Sequence, residues 1–107
     1  MRPELAIPLP REAIEAFCKR WGIVELSVFG SVLRDDFRAE SDVDVLVTFA
    51  ADAHVGLMDL VHAQDELGVI LGRRVDLVER QSVEESRNWI RRRSILSSAR
   101  PIYVAAG

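Results

Sequence analysis

Two carboxylates at the head of an otherwise apolar strand restrict this chain more than any other feature. In the stretch VFGSVLRDDFRAESDVDVLV, Val28 to Val47, an apolar strand runs into Gly30-Ser31, ten residues follow, and Asp42-Val43-Asp44 opens a second apolar strand. Side chains alternate faces along a strand at about 3.3 Å per residue, so Asp42 and Asp44 point the same way, roughly 6–7 Å apart. Val43, Val45 and Val47 point the other way, into a core. Like charges so arranged repel, and a divalent cation removes the cost. Carboxylate oxygens suit Mg²⁺ or Mn²⁺. Gly-Ser directly after a strand suits a phosphate cradle, because glycine lets the backbone approach an anion. The pattern therefore points to a site for a metal-bound nucleotide.

The rest of the chain supplies a frame for that site. Residues 1–9, with Pro3 and Pro8, read as an extended leader, and residues 10–107 as one domain. Ile14, Phe17, Cys18 and Trp21 follow the i, i+3, i+4, i+7 spacing of a helix face, with Pro10 suited to its first turn and Gly22 to its cap. Strands are expected over 23–29, 42–49 and 74–79, and a helix over 54–71 ended by Gly72. Gly30-Ser31 begins a short turn reaching about Leu33, and 35–41 is polar loop. Ser82 to Glu85 has the spacing of a capping box and predicts a helix start there. A further helix covers most of 88–99, with a break or continuity at Arg87-Asn88, and 101–104 is extended. Helices alternating with strands imply an α/β (α+β) sheet covered by helices.

Asp76 interrupts the apolar run RRVDLVE for the same apparent reason as the first pair. If its strand lies beside the second, Asp42, Asp44 and Asp76 converge, and two cations could share them. The plainer reading is an ion pair of Asp76 with Arg73 or Arg74. Arg91-Arg92-Arg93 reads as a solvated helix face or as a docking surface for an acidic partner helix. His54 and His62 lack metal-ligand spacing, and Trp21, Trp89 and Tyr103 read as core or interface anchors.

Composition removes several classes of function. At 107 residues and 49% apolar the chain suffices for a single core. A formal charge of −3 argues against direct nucleic-acid binding. No apolar run approaches the roughly 20 residues that span a bilayer, and the N-terminus lacks the apolar stretch of a secretory signal. The single Cys18 fits a reducing, cytoplasmic setting.

Gly30-Ser31, the ten-residue gap, Asp42-Val43-Asp44 and the later Asp76 resemble the nucleotidyltransferase superfamily of DNA polymerase beta. Within it the chain is similar to the minimal nucleotidyltransferases, the MNT antitoxins paired with HEPN ribonuclease toxins. The resemblance covers residues 10–103, with Arg34 at the position of the family's usual arginine and Asp35-Asp36 where glycine usually follows. It implies a single small nucleotidyltransferase domain, with a mixed sheet of three to four strands and helices mainly on one side. It implies ATP as substrate, two Mg²⁺ ions held by Asp42, Asp44 and Asp76, and nucleotide binding by Gly30, Ser31 and Arg34. The implied reaction moves AMP to a tyrosine of a HEPN-type toxin in a hetero-oligomer, the toxin supplying part of the site. Two alternatives remain open: an antitoxin that masks its toxin without catalysis, and transfer to a small-molecule hydroxyl of the aminoglycoside type.

Overall fold

Alternation of valine with other residues sets the register of the sheet. In the computed structural model, which describes residues 9–30 and 42–105, the elements run α1 (Arg11–Trp21), β1 (Ile23–Phe29), β2 (Val43–Phe49), α2 (Leu57–Leu71), β3 (Val75–Glu79), α3 (Arg80–Glu84), α4 (Trp89–Ser98) and β4 (Arg100–Val104). The expected leader lies almost entirely outside the described residues. The four strands form one mixed sheet in the order β3-β2-β1-β4. β1 pairs antiparallel with β2 and β4, whereas β2 and β3 are parallel, joined across α2. A parallel pair needs such a crossover, because no short turn can bring the chain back to the same end of the sheet.

The two faces of the sheet carry different loads. Val43, Val45 and Val47 of β2, Leu26 and Val28 of β1, and Val75 and Leu77 of β3 point to one face. There they meet Ile14, Phe17 and Cys18 of α1 and Ala63, Leu67 and Leu71 of α2. Both long helices therefore pack on this side, as the sequence leads one to expect. On the other face Phe29 and Leu46 pack under Val83 of α3 and Ile95 of α4, a smaller cluster. β2 is thus buried on both sides, which accounts for its unbroken apolar run.

Local chemistry explains the element ends. Gly22 and Gly72 end α1 and α2 in the left-handed conformation, where a side chain would be strained. α2 begins at Leu57, later than the expected position 54, because Asp59 Oδ2 accepts from the Gly56 backbone N–H at 2.9 Å. Gln64 Oε1 of α2 accepts from the Leu77 N–H of β3 at 2.9 Å. Trp21 Nε1 of α1 donates to Glu66 Oε1 of α2 at 3.2 Å, and Arg20 pairs with the same carboxylate. The capping-box expectation at Ser82 is corrected: α3 starts directly off β3 at Arg80, and Ser82 lies inside it. The break at Arg87-Asn88 is real. Asn88 Oδ1 accepts from the Arg91 N–H at 3.1 Å and starts α4 afresh. The extended C-terminal segment forms β4, paired to β1. Among the described residues no helix is long and apolar enough to cross a membrane.

Candidate functional site

β1 and β2 are antiparallel, so the end of one strand meets the beginning of the other. Phe29 faces Asp44 across that pair, and Gly30 follows at once. Gly30 has φ +75°, a conformation that costs an L side chain. A Cβ there would fall on Asp44 Oδ2 and within 3.3 Å of its Cγ. The glycine is therefore needed twice, for its backbone angle and for the space it leaves over the Asp44 carboxylate.

β3 brings the third aspartate. Asp44 and Asp76 are direct register partners in the parallel pair, on strands about 4.8 Å apart. Both project to the face opposite the large core, since Val43, Val45, Val75 and Leu77 occupy that core. Asp42 precedes β2 by one residue, and its carboxylate pairs with Arg74, Nε to Oδ1 at 3.3 Å. The plainer reading of Asp76 is thus corrected for Arg74, which pairs with Asp42 instead. Beside Asp42 and Asp76 a cleft of about 700 Å³ opens, lined also by Asp65, Gly68, Arg73 and Arg74. Such a volume lies in the range of small-molecule sites.

Ser31 and Arg34, the other expected nucleotide-binding residues, lie outside the described residues. So do Asp35 and Asp36. Among the described residues no group of three acidic, histidine or cysteine side chains is drawn close enough to hold a metal ion. The chemistry of the donor set still suits Mg²⁺, which prefers hard oxygen ligands and retains several waters of its own. Gly30 leaves the space beside the Asp44 carboxylate clear of a Cβ. The residues present fit the ion.

A polar row that the sequence reading passed over continues this face. Ser27 is buried at 2% exposure, and its hydroxyl donates to Glu25 Oε2 at 3.4 Å. Arg80 lies between two carboxylates, with Nε donating to Glu84 Oε2 at 3.2 Å and Nη1 at 3.9 Å from Glu25 Oε2. The signal was available in the alternation of Glu25 and Ser27 against Val24, Leu26 and Val28. Those two polar residues fall on the strand face that also carries Asp44.

Three comparisons bear on this geometry. The family described as nucleotidyltransferase domain matches residues 10–102. Over 66 residues the chain is 38% identical to a protein adenylyltransferase, MntA, of Thermococcus cleftensis; the match takes in 62% of this chain and 65% of that protein. The chain thus spans just under two thirds of that relative's length. A solved structure of a candidate minimal nucleotidyltransferase is 36% identical with a TM-score of 0.65, covering 86% of this chain and 88% of the other. A chain in the structure of an MNT antitoxin with tri-AMPylated HEPN toxin from Shewanella oneidensis superposes with a TM-score of 0.59. It covers 89% of this chain and 70% of its own at 18% identity, a likeness of fold alone. With its family match running from α1 into β4, the chain belongs to the nucleotidyltransferase domain family.

Proposed function

We propose that the chain is a Mg²⁺-dependent nucleotidyltransferase that moves AMP from ATP to a tyrosine of a HEPN-type toxin and so acts as its antitoxin in the cytoplasm. The observation that carries this reading is the register pairing of Asp44 with Asp76 beside the left-handed Gly30. It gathers carboxylates and an open backbone approach at one end of the sheet. The relative named protein adenylyltransferase and the fold shared with an MNT chain solved beside AMPylated HEPN toxin support the choice of acceptor.

In this reading the tyrosine oxygen attacks the α-phosphorus, the bond from that phosphorus to the bridging oxygen breaks, and diphosphate leaves. Asp42, Asp44 and Asp76 would hold the Mg²⁺ ions, two by resemblance, which when bound neutralise triphosphate charge and acidify the acceptor hydroxyl. Asp76, on the outer strand beside the cleft, would favour deprotonation of the acceptor. Gly30 and Ser31 offer backbone and hydroxyl donors to the outer phosphates, and Arg34 adds a cation. Arg74, now paired with Asp42, would yield that carboxylate to a bound metal.

The test is label transfer from ATP labelled at the α-phosphate to a purified HEPN protein of the same organism, comparing wild type with Asp42→Asn/Asp44→Asn. Label on the toxin that the double variant abolishes is the expected result. A stable complex without label, with neutralisation retained by the variant, would replace the reading with steric masking. Label on an aminoglycoside hydroxyl in the absence of any toxin would replace it with small-molecule transfer.

A further inference from the structure

We propose that the outer face of α4, built on Trp89, Ile90 and Arg93, is the docking surface for an acidic, apolar-centred segment of the acceptor protein. The proposal rests on the reading above that the acceptor is a protein. Four observations lead to it.

The first is charge segregation. From Ser86 to the C-terminus the sequence has five arginines and no acidic residue, whereas residues 1–85 hold nine basic and 17 acidic residues. A chain of net charge −3 thus carries a wholly basic tail segment, and the strip it forms favours a partner of opposite sign.

The second is that the structure splits the arginine run. Arg92 turns inward, and its Nη1 donates to the carbonyl oxygens of Ser86 at 3.0 Å and Glu84 at 3.5 Å, closing the end of α3. Arg91 and Arg93 remain exposed. Arg92 holds the helix in place, Arg91 lines the pocket beside it with Val83, Ser86 and Ile95, and Arg93 falls on the outer face.

The third is apolar exposure at the same spot. Trp89 is 59% exposed and Ile90 65%. Residue 93 stands i+4 from 89 and i+3 from 90, so the three share a helix surface away from Ile95, which anchors α4 to the sheet. A tryptophan beside arginines has the composition of an interface hot spot, in which the aromatic ring and the guanidinium contribute most.

The fourth is position. α4 packs through Ile95 onto Phe29 and Leu46, and Phe29 is the register partner of Asp44. The docking face therefore stands on the same side of the sheet as the carboxylates. A protein seated there has its own surface beside the site, while the opposite sheet face is closed by α1 and α2.

Single-stranded RNA is the other polyanion such a strip could hold. It is disfavoured because only one aromatic ring is presented and its neighbour is isoleucine, whereas strand binding uses successive stacking rings along a basic groove. The overall negative charge also repels a nucleic acid.

The experiment measures binding of the full-length chain to the HEPN protein of the same organism, together with AMP transfer as a function of toxin concentration. The variants are Trp89→Ala, Ile90→Ala and Arg93→Glu. All three side chains are exposed, and thermal unfolding checks that each variant folds. Trp89→Ala and the charge reversal are expected to weaken binding about tenfold or more. They should raise the toxin KM for transfer and leave kcat within about twofold, and the reversal should flatten the salt dependence of association. Unchanged binding and KM in every folded variant would overturn the docking face. Binding weakened as expected while no AMP is transferred by any form would keep the face and reject the transfer reading. Two controls also decide against it. Variant-sensitive binding of a fluorescent 12-nucleotide RNA with toxin affinity unchanged would assign the strip to RNA. A wild-type dimer dissolved by the charge reversal, again with toxin affinity unchanged, would assign it to a second copy of this chain.

Discussion

The two faces of one four-stranded sheet divide the labour of this protein. Under α1 and α2, fourteen of the described residues form a continuous buried core, and Glu79 at the end of β3 is the charged exception on that strand face. Under α3 and α4, among the described residues, Phe29, Leu46, Val83 and Ile95 form the buried cluster, and the other positions of β1, β2 and β3 on this face carry Glu25, Ser27, Asp44, Thr48, Asp76 and Val78. Burial stabilises roughly in proportion to the apolar area removed from water, so the first face holds most of the stability. The second gives up some of that burial to keep polar groups together. A strand such as β2 can serve both because its side chains alternate.

Breaking each face separately should separate stability from chemistry. The largest effect on stability is expected from Phe17→Ala, a fully buried ring on the core face. It should cost about 3–5 kcal/mol in urea unfolding, whereas Ile95→Ala on the other face should cost about 2 kcal/mol. Equal costs would show the two faces to be equally important for folding. Asp44→Asn reverses the pattern. On the proposed reading AMP transfer should fall by about 10²–10³-fold, or roughly 3–4 kcal/mol, while the melting temperature moves by less than about 4 °C. Gly30→Ala should damage both properties, because the left-handed angle and the crowding of Asp44 act together. A loss of about 1–3 kcal/mol is expected, with Gly30→Asn, which tolerates that angle better, no more active because its side chain still meets the carboxylate.

Smaller effects sharpen the contrast. Burial on the core face pushes the Cys18 thiol up to about 12 from an ordinary 9.0. Between those values the unfolded chain releases the proton and the native chain keeps it. The native state then binds more protons, and stability falls as pH rises, by about 1.4 kcal/mol per pH unit. Below pH 9 this contribution does not vary. Urea unfolding from pH 8 to 11 should show wild type losing ground against Cys18→Ala only above about pH 9. On the other face Arg74→Ala removes the cation paired with Asp42. Mn²⁺ binding followed by calorimetry should tighten about two- to threefold, a small change because the arginine is 82% exposed and solvent screens it. Weaker Mn²⁺ binding would instead make Arg74 a support for the carboxylate.

Much of this division could be read in the residues, and the failures have physical causes. Ile14, Phe17 and Cys18 announced the buried face of α1, and Val43, Val45 and Val47 announced the inward side of β2, because both patterns are set by local geometry. That Asp76 stands beside Asp44 depended on the parallel pairing of β2 with β3, a long-range choice that the alternation of strand and helix only suggested. The capping-box spacing at Ser82 was misleading because the chain turns helical as soon as β3 ends, and the cap is then not needed. Arg92 looked equivalent to its neighbours in sequence. Only the packing of α4 on α3 shows that it serves carbonyl groups left over at a helix end. The pairing of Arg74 with Asp42 also needed the fold, since the two lie 32 positions apart in sequence.

The bond from the Leu77 N–H to Gln64 decides how this molecule can be approached. β3 is an outermost strand, and an outermost strand offers main-chain groups to any passing peptide. Here a side chain from the chain's own helix already occupies one of those donors. On the far side of the sheet Pro101 removes another from β4. Lengthening of the sheet by a visiting strand is thus discouraged at both ends. A protein that is recognised must be gripped by side chains, and its identity is then read from their shape and charge.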